Sequence, residues 1–93
     1  MKKIIKEIKA ERRRQRKSEG WSLKHDDAHE SGELAAAAAC YAMPRKYPKS
    51  TVPRGWPWDE GWYKPHGRRR DLIRAAALIV AELERLDRKD KKR

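Results

Sequence analysis

The clearest pattern of hydrophobic and polar positions lies in the last third of the chain, RRRDLIRAAALIVAELERLDRKDKKR. Apolar residues recur there at alternating spacings of four and three, which is the repeat of one helical face. These residues are Leu72, Ala76, Ile79, Leu83 and Leu86, and the face is widened by Ile73, Ala77 and Val80. The pattern predicts a helix over 69–88, with Asp71 able to cap its start, and a basic tail over 89–93.

The same helix is apolar almost all round between Leu72 and Ala81. A helix that is apolar on every side needs cover on every side, and one short neighbouring helix covers only part of it. We therefore predict self-association into a homo-oligomer, a dimer or larger, with this helix at the centre.

Two further helices are predicted ahead of it. Residues 1–18 form a basic N-terminal helix, in which the apolar spacing of Ile4, Ile5 and Ile8 is followed only by polar helix formers. Residues 27–43 form an Ala-rich helix with five consecutive alanines, in which Asp27 and Glu30 have the spacing of a capping box and Pro44 marks the stop.

Residues 44–67 contain all five prolines and three of the four tryptophans, and predict a long irregular connection. No strand pattern and no Gly-rich phosphate loop occur. We therefore expect one all-α domain over residues 1–93, with three helices and a long Trp/Pro-rich connection between the second and third helices.

The charge of the chain, +11, points to an anionic partner. It is concentrated at the ends, because residues 1–18 hold nine Lys or Arg against two Glu, while 19–85 are close to neutral. Cys40 is the only cysteine, which excludes an internal disulfide and suits a reducing compartment. Without an apolar run long enough for a signal peptide or a membrane span, we expect a cytoplasmic protein and no membrane partner.

The first candidate site combines aromatic rings with cations around the start of the last helix. Indoles stack on bases, and guanidinium groups bind phosphate in fork geometry. The candidate ligand-binding residues are Trp56, Trp58, Trp62, Tyr63, His66, Arg68, Arg69 and Arg70, together with His25 and His29. The alternative is that the tryptophans cover a small core and the arginines are simply solvated.

A second candidate is the run of cations in the first helix, Arg12, Arg13, Arg14, Arg16 and Lys17. Such a run is often a solvated helix end. Because no acid interrupts it, it also suits contact with a nucleic-acid backbone or with an acidic host protein.

A third candidate is the set His25, His29 and Glu33, spaced four and four. On one helix these residues share a face and form a ligand set for zinc or iron. That geometry requires His25 to be helical. The alternative is that the helix begins at Asp27 and the histidines anchor the preceding turn.

Four carboxylates have the spacing of a known magnesium site: Glu30 and Glu33 as E-x-x-E, and Glu84 and Asp87 as E-x-x-D. The segment HESGELAAAAACYA resembles the first metal-binding helix of MazG-like nucleotide pyrophosphohydrolases. This resemblance implies an all-α fold in which the four carboxylates hold Mg²⁺ against a nucleotide triphosphate.

Most of the chain also resembles a family of small uncharacterised phage and prophage proteins. The resemblance lies in ERRRQ, EGW, HDDAHESGELAAAAACYA, WPW and RRDLIRAAALIVAELERLDR, in that order. It implies a phage accessory protein in the host cytoplasm. The usual tasks of such proteins are nucleotide metabolism, inhibition of host defence and nucleic-acid binding.

No nucleophile sits beside a recognisable base, so the sequence favours binding over catalysis. The leading hypothesis is capture of a nucleotide or nucleotide-derived signal without turnover and without a cofactor, in the service of counter-defence. The alternatives are MazG-like, magnesium-dependent pyrophosphate release, and binding of nucleic acid or a host protein through the first helix.

Overall fold

The computed structural model describes residues 1–18, 26–44 and 51–91. Three α-helices lie wholly within these ranges: α1 over Lys2–Ser18, α2 over Glu33–Ala42 and α3 over Arg68–Lys91. A single 3₁₀ turn covers Glu60–Trp62, and the described ranges contain no strand. The radius of gyration of 13.3 Å is close to the ~13 Å expected of a globular chain of this length. The predicted all-α class is therefore confirmed for this part of the chain.

Two helices have nearly the predicted bounds. α1 coincides with the predicted basic N-terminal helix. α3 begins one residue before the predicted 69–88 and continues to Lys91. Because this end of the chain lacks Gly and Pro, nothing interrupts the helix at residue 88. Most of the predicted basic tail is thus helical, while residues 92 and 93 lie outside the described ranges.

The start of α2 was predicted wrongly. The sequence predicted a helix from Asp27 to 43, but α2 begins at Glu33. Gly32 precedes it with φ 84°, a left-handed conformation that interrupts a right-handed helix and that glycine adopts without strain. No side chain caps α2, and the carboxylate of Asp27 instead accepts two hydrogen bonds from Arg88, at 3.0 and 2.7 Å.

The core forms where α2 packs on α3. Alanines meet across this interface, Ala37 and Ala38 from α2 and Ala75 and Ala81 from α3, with the fully buried Leu34 and Leu78 beside them. Small side chains allow the two helix backbones to approach closely. α1 packs on α3 as well, so α3 is the central helix.

Residues 51–67 of the Trp/Pro-rich connection, which we call the Trp-rich segment, pack against this core. Trp56 and Trp58 are partly buried on the core cluster, and the Tyr41 and Tyr63 rings stack 5.2 Å apart. The hydroxyl of Tyr41 donates to the Trp62 carbonyl at 3.3 Å and accepts from the Lys64 amide at 3.0 Å. The segment is thereby tied to α2. Residues 45–50 of the predicted connection lie outside the described ranges.

The thiol of Cys40 is buried in the core, and this burial raises its pKa.

Among the helices that the structure describes, none combines the length and the apolarity that a membrane crossing requires.

We expect Leu78→Ala to lower the free energy of unfolding by about 2–5 kcal/mol, because it removes a fully buried side chain and leaves a cavity. Urea denaturation measures the change. Met43→Ala is the control, since more than half of Met43 is exposed. Equal losses in the two variants would contradict the packing described here.

Candidate anion-binding surface

The second half of α1 is attached to α3 through a buried carboxylate. Glu11 accepts two hydrogen bonds from Arg14, at 2.8 and 2.7 Å, and one from Gln15 at 3.2 Å. Arg74 of α3 approaches it to 3.7 Å and Arg70 to 3.6 Å. Burial alone would raise the pKa of Glu11. The hydrogen bonds and charge of Arg14, with the charges of the α3 arginines, outweigh burial and hold this pKa below its ordinary value.

The neighbouring Arg12 makes a second buried attachment. Its guanidinium group donates to the buried Asp26 at 2.6 Å and to Glu84 of α3 at 3.1 Å. Arg12 is one of the cations predicted for nucleic-acid binding, but these carboxylates already engage it within the protein. Its side chain is buried because a buried carboxylate requires a charged partner at close range.

These contacts define how α1 lies on α3. Glu11 and Arg12 are adjacent in α1, yet they reach Arg74 and Glu84, which are ten positions apart in α3. Ten residues of helix span about 15 Å. The two sides of α1 therefore meet different parts of α3.

The side of α1 turned away from Glu11 carries only cations. We call Lys2, Lys6, Lys9, Arg13, Arg16 and Lys17 the basic stripe. All six residues are exposed, and their spacing keeps them on one side of the helix. None of the described acidic side chains lies within ion-pair distance of any of them.

A groove of about 890 Å³ lies between this side of α1 and α3. Ile5, Ile8 and Val80 supply its apolar lining. Its polar lining comes from four residues of the basic stripe, Lys9, Arg13, Arg16 and Lys17, with the Arg12–Glu84 pair. The groove therefore offers several cations, none paired with a carboxylate in the described ranges, beside an aliphatic surface.

The predicted cation run of α1 is thus divided by the fold. Arg13, Arg16 and Lys17 remain exposed, and all three line the groove. Arg12 and Arg14 instead bind carboxylates of the protein itself. Lys9 belongs to the surface although sequence analysis did not select it, and its spacing of four from Arg13 was the available signal.

The aromatic residues of the other candidate site do not form one exposed face. Trp56 and Trp58 pack on the core and Tyr63 is buried, whereas Trp62 is exposed with the Lys64 ammonium 5.1 Å from its ring centroid. The backbone amide of His66 donates to Asp71 at 2.8 Å.

The arginines of that candidate site bind within the protein. Arg68 donates to the Ala42 carbonyl at 2.6 Å, and Arg69 forms a bidentate pair with Glu7 at 2.7 Å. Arg70 lies 3.6 Å from the carboxylate of Glu11. The cations selected for phosphate binding are therefore largely engaged in holding α1 and α2 to α3.

Two of the candidate metal ligands, His29 and Glu33, lie close together in the structure. His29 Nδ1 lies 3.5 Å from Glu33, but His29 and Glu30 precede α2, because Gly32 separates them from it. Hydrogen bonds from its own amide and that of Ser31 keep the pKa of Glu33 low. His25 lies outside the described residues.

Glu84 and Asp87, the two α3 carboxylates of the predicted magnesium site, have different surroundings. Glu84 is bound to Arg12, and Asp87 is exposed. Within residues 1–18, 26–44 and 51–91, no three His, Cys, Asp or Glu side chains are close enough to hold a metal ion.

No family model, no curated protein and no solved structure matches this chain. The resemblances to MazG-like enzymes and to a phage protein family therefore stay predictions from the sequence.

The buried contacts of Glu11 with Arg14, Arg70 and Arg74 predict that the fold loses stability in acid. Because the pKa of Glu11 is below its ordinary value of 4.5, its contribution to stability is present above about pH 4.5 and is lost as the pH falls through the lowered value. Glu11→Gln leaves buried Arg74 without its carboxylate and should cost about 3 kcal/mol at neutral pH. The variant should also lose less stability than the parent on acidification, as urea denaturation at several pH values would measure.

Glu7→Gln is the matched control for this prediction. It breaks the ion pair with Arg69, which solvent screens, so the loss should be smaller than for Glu11→Gln. Equal effects of the two substitutions at neutral pH would contradict a special role for the buried carboxylate.

Proposed function

We propose that this protein binds nucleic acid through its phosphate backbone, without sequence preference and without turnover. The observation that carries the proposal is the basic stripe. Its six cations are exposed, and none of the described acidic side chains of α1 lies on that side of the helix.

The separation of charges on α1 is the physical support for this function. Both acids of the helix, Glu7 and Glu11, are bound to arginines on the other side. The cations of the basic stripe are therefore not neutralised by their own helix. A surface of this kind releases counterions from a polyanion when it binds, which is the main source of non-specific nucleic-acid affinity.

The length of the basic stripe favours a polymer over a single nucleotide. Lys2 and Lys17 are 15 residues apart, about 22 Å along a helix. A strand of duplex DNA presents a phosphate every ~3.4 Å of axis, so this distance corresponds to about six nucleotides. A mononucleotide would contact only a small part of such a surface.

Nucleotide capture at the Trp-rich segment has less support. Trp56 and Trp58 pack on the core, and Arg68 and Arg69 bind groups of the protein. An exposed indole remains at Trp62, so Trp62→Ala is the variant that tests this hypothesis.

The triple variant Arg13→Ala, Arg16→Ala, Lys17→Ala should weaken binding to duplex DNA at least tenfold. Each lost phosphate contact should also lower the slope of log affinity against log salt by about 0.9. Fluorescence anisotropy with labelled duplex DNA, single-stranded DNA and RNA at several salt concentrations measures both effects.

A second triple variant removes the same charge elsewhere and serves as the control. Lys3, Lys89 and Lys91 are exposed and lie outside the basic stripe, so their replacement by alanine should reduce affinity much less. Equal losses in the two variants would show that net charge alone drives binding.

Two further probes separate the alternatives. Polyglutamate bound as tightly as DNA would favour an acidic protein partner. A mononucleotide that binds with an affinity lowered by Trp62→Ala, with no binding of polymers, would overturn the proposal in favour of nucleotide capture.

A further inference from the structure

The most regular apolar face of α3 points away from the rest of the protein. The residues buried in α3 are others: Asp71, Arg74, Ala75, Ala77, Leu78, Ala81 and Arg85. Leu72, Ile79, Leu83 and Leu86 are between 41% and 56% exposed. With Ala76 they form a continuous row, which we call the outer stripe.

The spacing of the outer stripe is that of a two-helix seam. Its members follow one another at intervals of four, three, four and three residues, the repeat by which two helices interlock. Scattered exposed leucines are ordinary on a protein surface, but a continuous row on one helix marks an interaction site. The partner that such a seam fits is another helix of the same kind.

We propose that the outer stripe binds a second copy of this chain, with the two α3 helices antiparallel about a two-fold axis near Ile79. This arrangement brings Leu72 of one copy to the C-terminal end of the partner's outer stripe. The small Ala76 leaves room for a larger side chain from the opposite helix. Both copies use the same surface, as a closed dimer requires.

Charge at the two ends of α3 selects the antiparallel direction. Arg68 and Arg69 lie at its start on the side of the outer stripe, where Arg69 is also paired with Glu7. Asp87 and Asp90 are exposed near its end, on the same side. None of the described basic side chains lies within ion-pair distance of either aspartate. An antiparallel pair sets the arginines near the partner's Asp87 and the partner's Asp90. A parallel pair would set the arginines of one copy against the same arginines of the other, which is unfavourable.

The size of the seam sets the expected affinity. The 24 residues of α3 are about 36 Å long, and a helix is about 10 Å wide. Such a contact covers about 360 Å² on each copy, less than the ~800 Å² per partner of a stable interface, so we expect a weak dimer that dissociates in the micromolar range. The dimer should therefore form and dissociate with protein concentration.

Sedimentation equilibrium tests the proposal directly. The parent should approach twice 11.0 kDa as its concentration rises through the micromolar range, while Ile79→Asp should stay at 11.0 kDa. Because Ile79 is half-exposed, the charged variant should keep the helical circular dichroism of the parent. Met43→Asp makes the same charge change at an exposed apolar residue after α2 and should dimerise like the parent.

Disulfide cross-linking tests the direction of the helices. In a Cys40→Ser background, Leu72→Cys alone should not cross-link, because an antiparallel pair separates the two copies of residue 72 by more than about 15 Å. A mixture of Leu72→Cys with Leu83→Cys or Leu86→Cys should give a heterodimer.

Three results would overturn the proposal. The first is a parent protein that remains at 11.0 kDa throughout the micromolar range. The second is an Ile79→Asp variant that is folded and dimerises like the parent. The third is cross-linking of Leu72→Cys with itself and not with Leu86→Cys, which would show parallel helices.

Discussion

The fold depends on keeping the buried charges between α1 and α3 paired. α1 has no apolar residue on its inner side beyond Ile8, so its second half cannot attach through hydrophobic contact. Glu11 and Arg12 make the attachment instead, through Arg74, Asp26 and Glu84. A buried charge without a partner costs several kcal/mol, and these pairs consequently fix the rotation of α1 against α3. The outward position of the basic stripe follows from that rotation.

Much of the secondary structure could be predicted from local signals. α1 and α3 consist of helix formers without interruption, and their bounds follow from composition and spacing. The start of α2 could not be predicted in this way, because Asp27 and Glu30 have the spacing of a cap. Asp27 binds Arg88 of α3, a contact 61 residues away in sequence that no local pattern reveals. Gly32 was the local signal against a continuous helix.

The candidate site was predicted only in part, for a related reason. A run of cations in a sequence does not show which of them meet a carboxylate after folding. Arg12 and Arg13 are neighbours of the same type, yet Arg12 is buried on Asp26 and Arg13 is exposed. Arg74 gave a usable signal that was missed, since a lone cation within an apolar helical run predicts a buried ion pair. The aromatic residues were ambiguous from the start, because indoles serve cores and stacking sites equally well.

The buried thiol of Cys40 makes α2 observable during its rare openings. Only the thiolate attacks alkylating reagents, and burial both shields this sulfur and raises its pKa. Modification in the native protein therefore requires a local separation of the groups packed around this sulfur, which lies beside Gly55 of the Trp/Pro-rich connection. Since Cys40 is the only cysteine in the chain, the rate of alkylation reports that local separation free of any other signal. The alkylation rate therefore measures how often the core packing around Cys40 opens in the native protein.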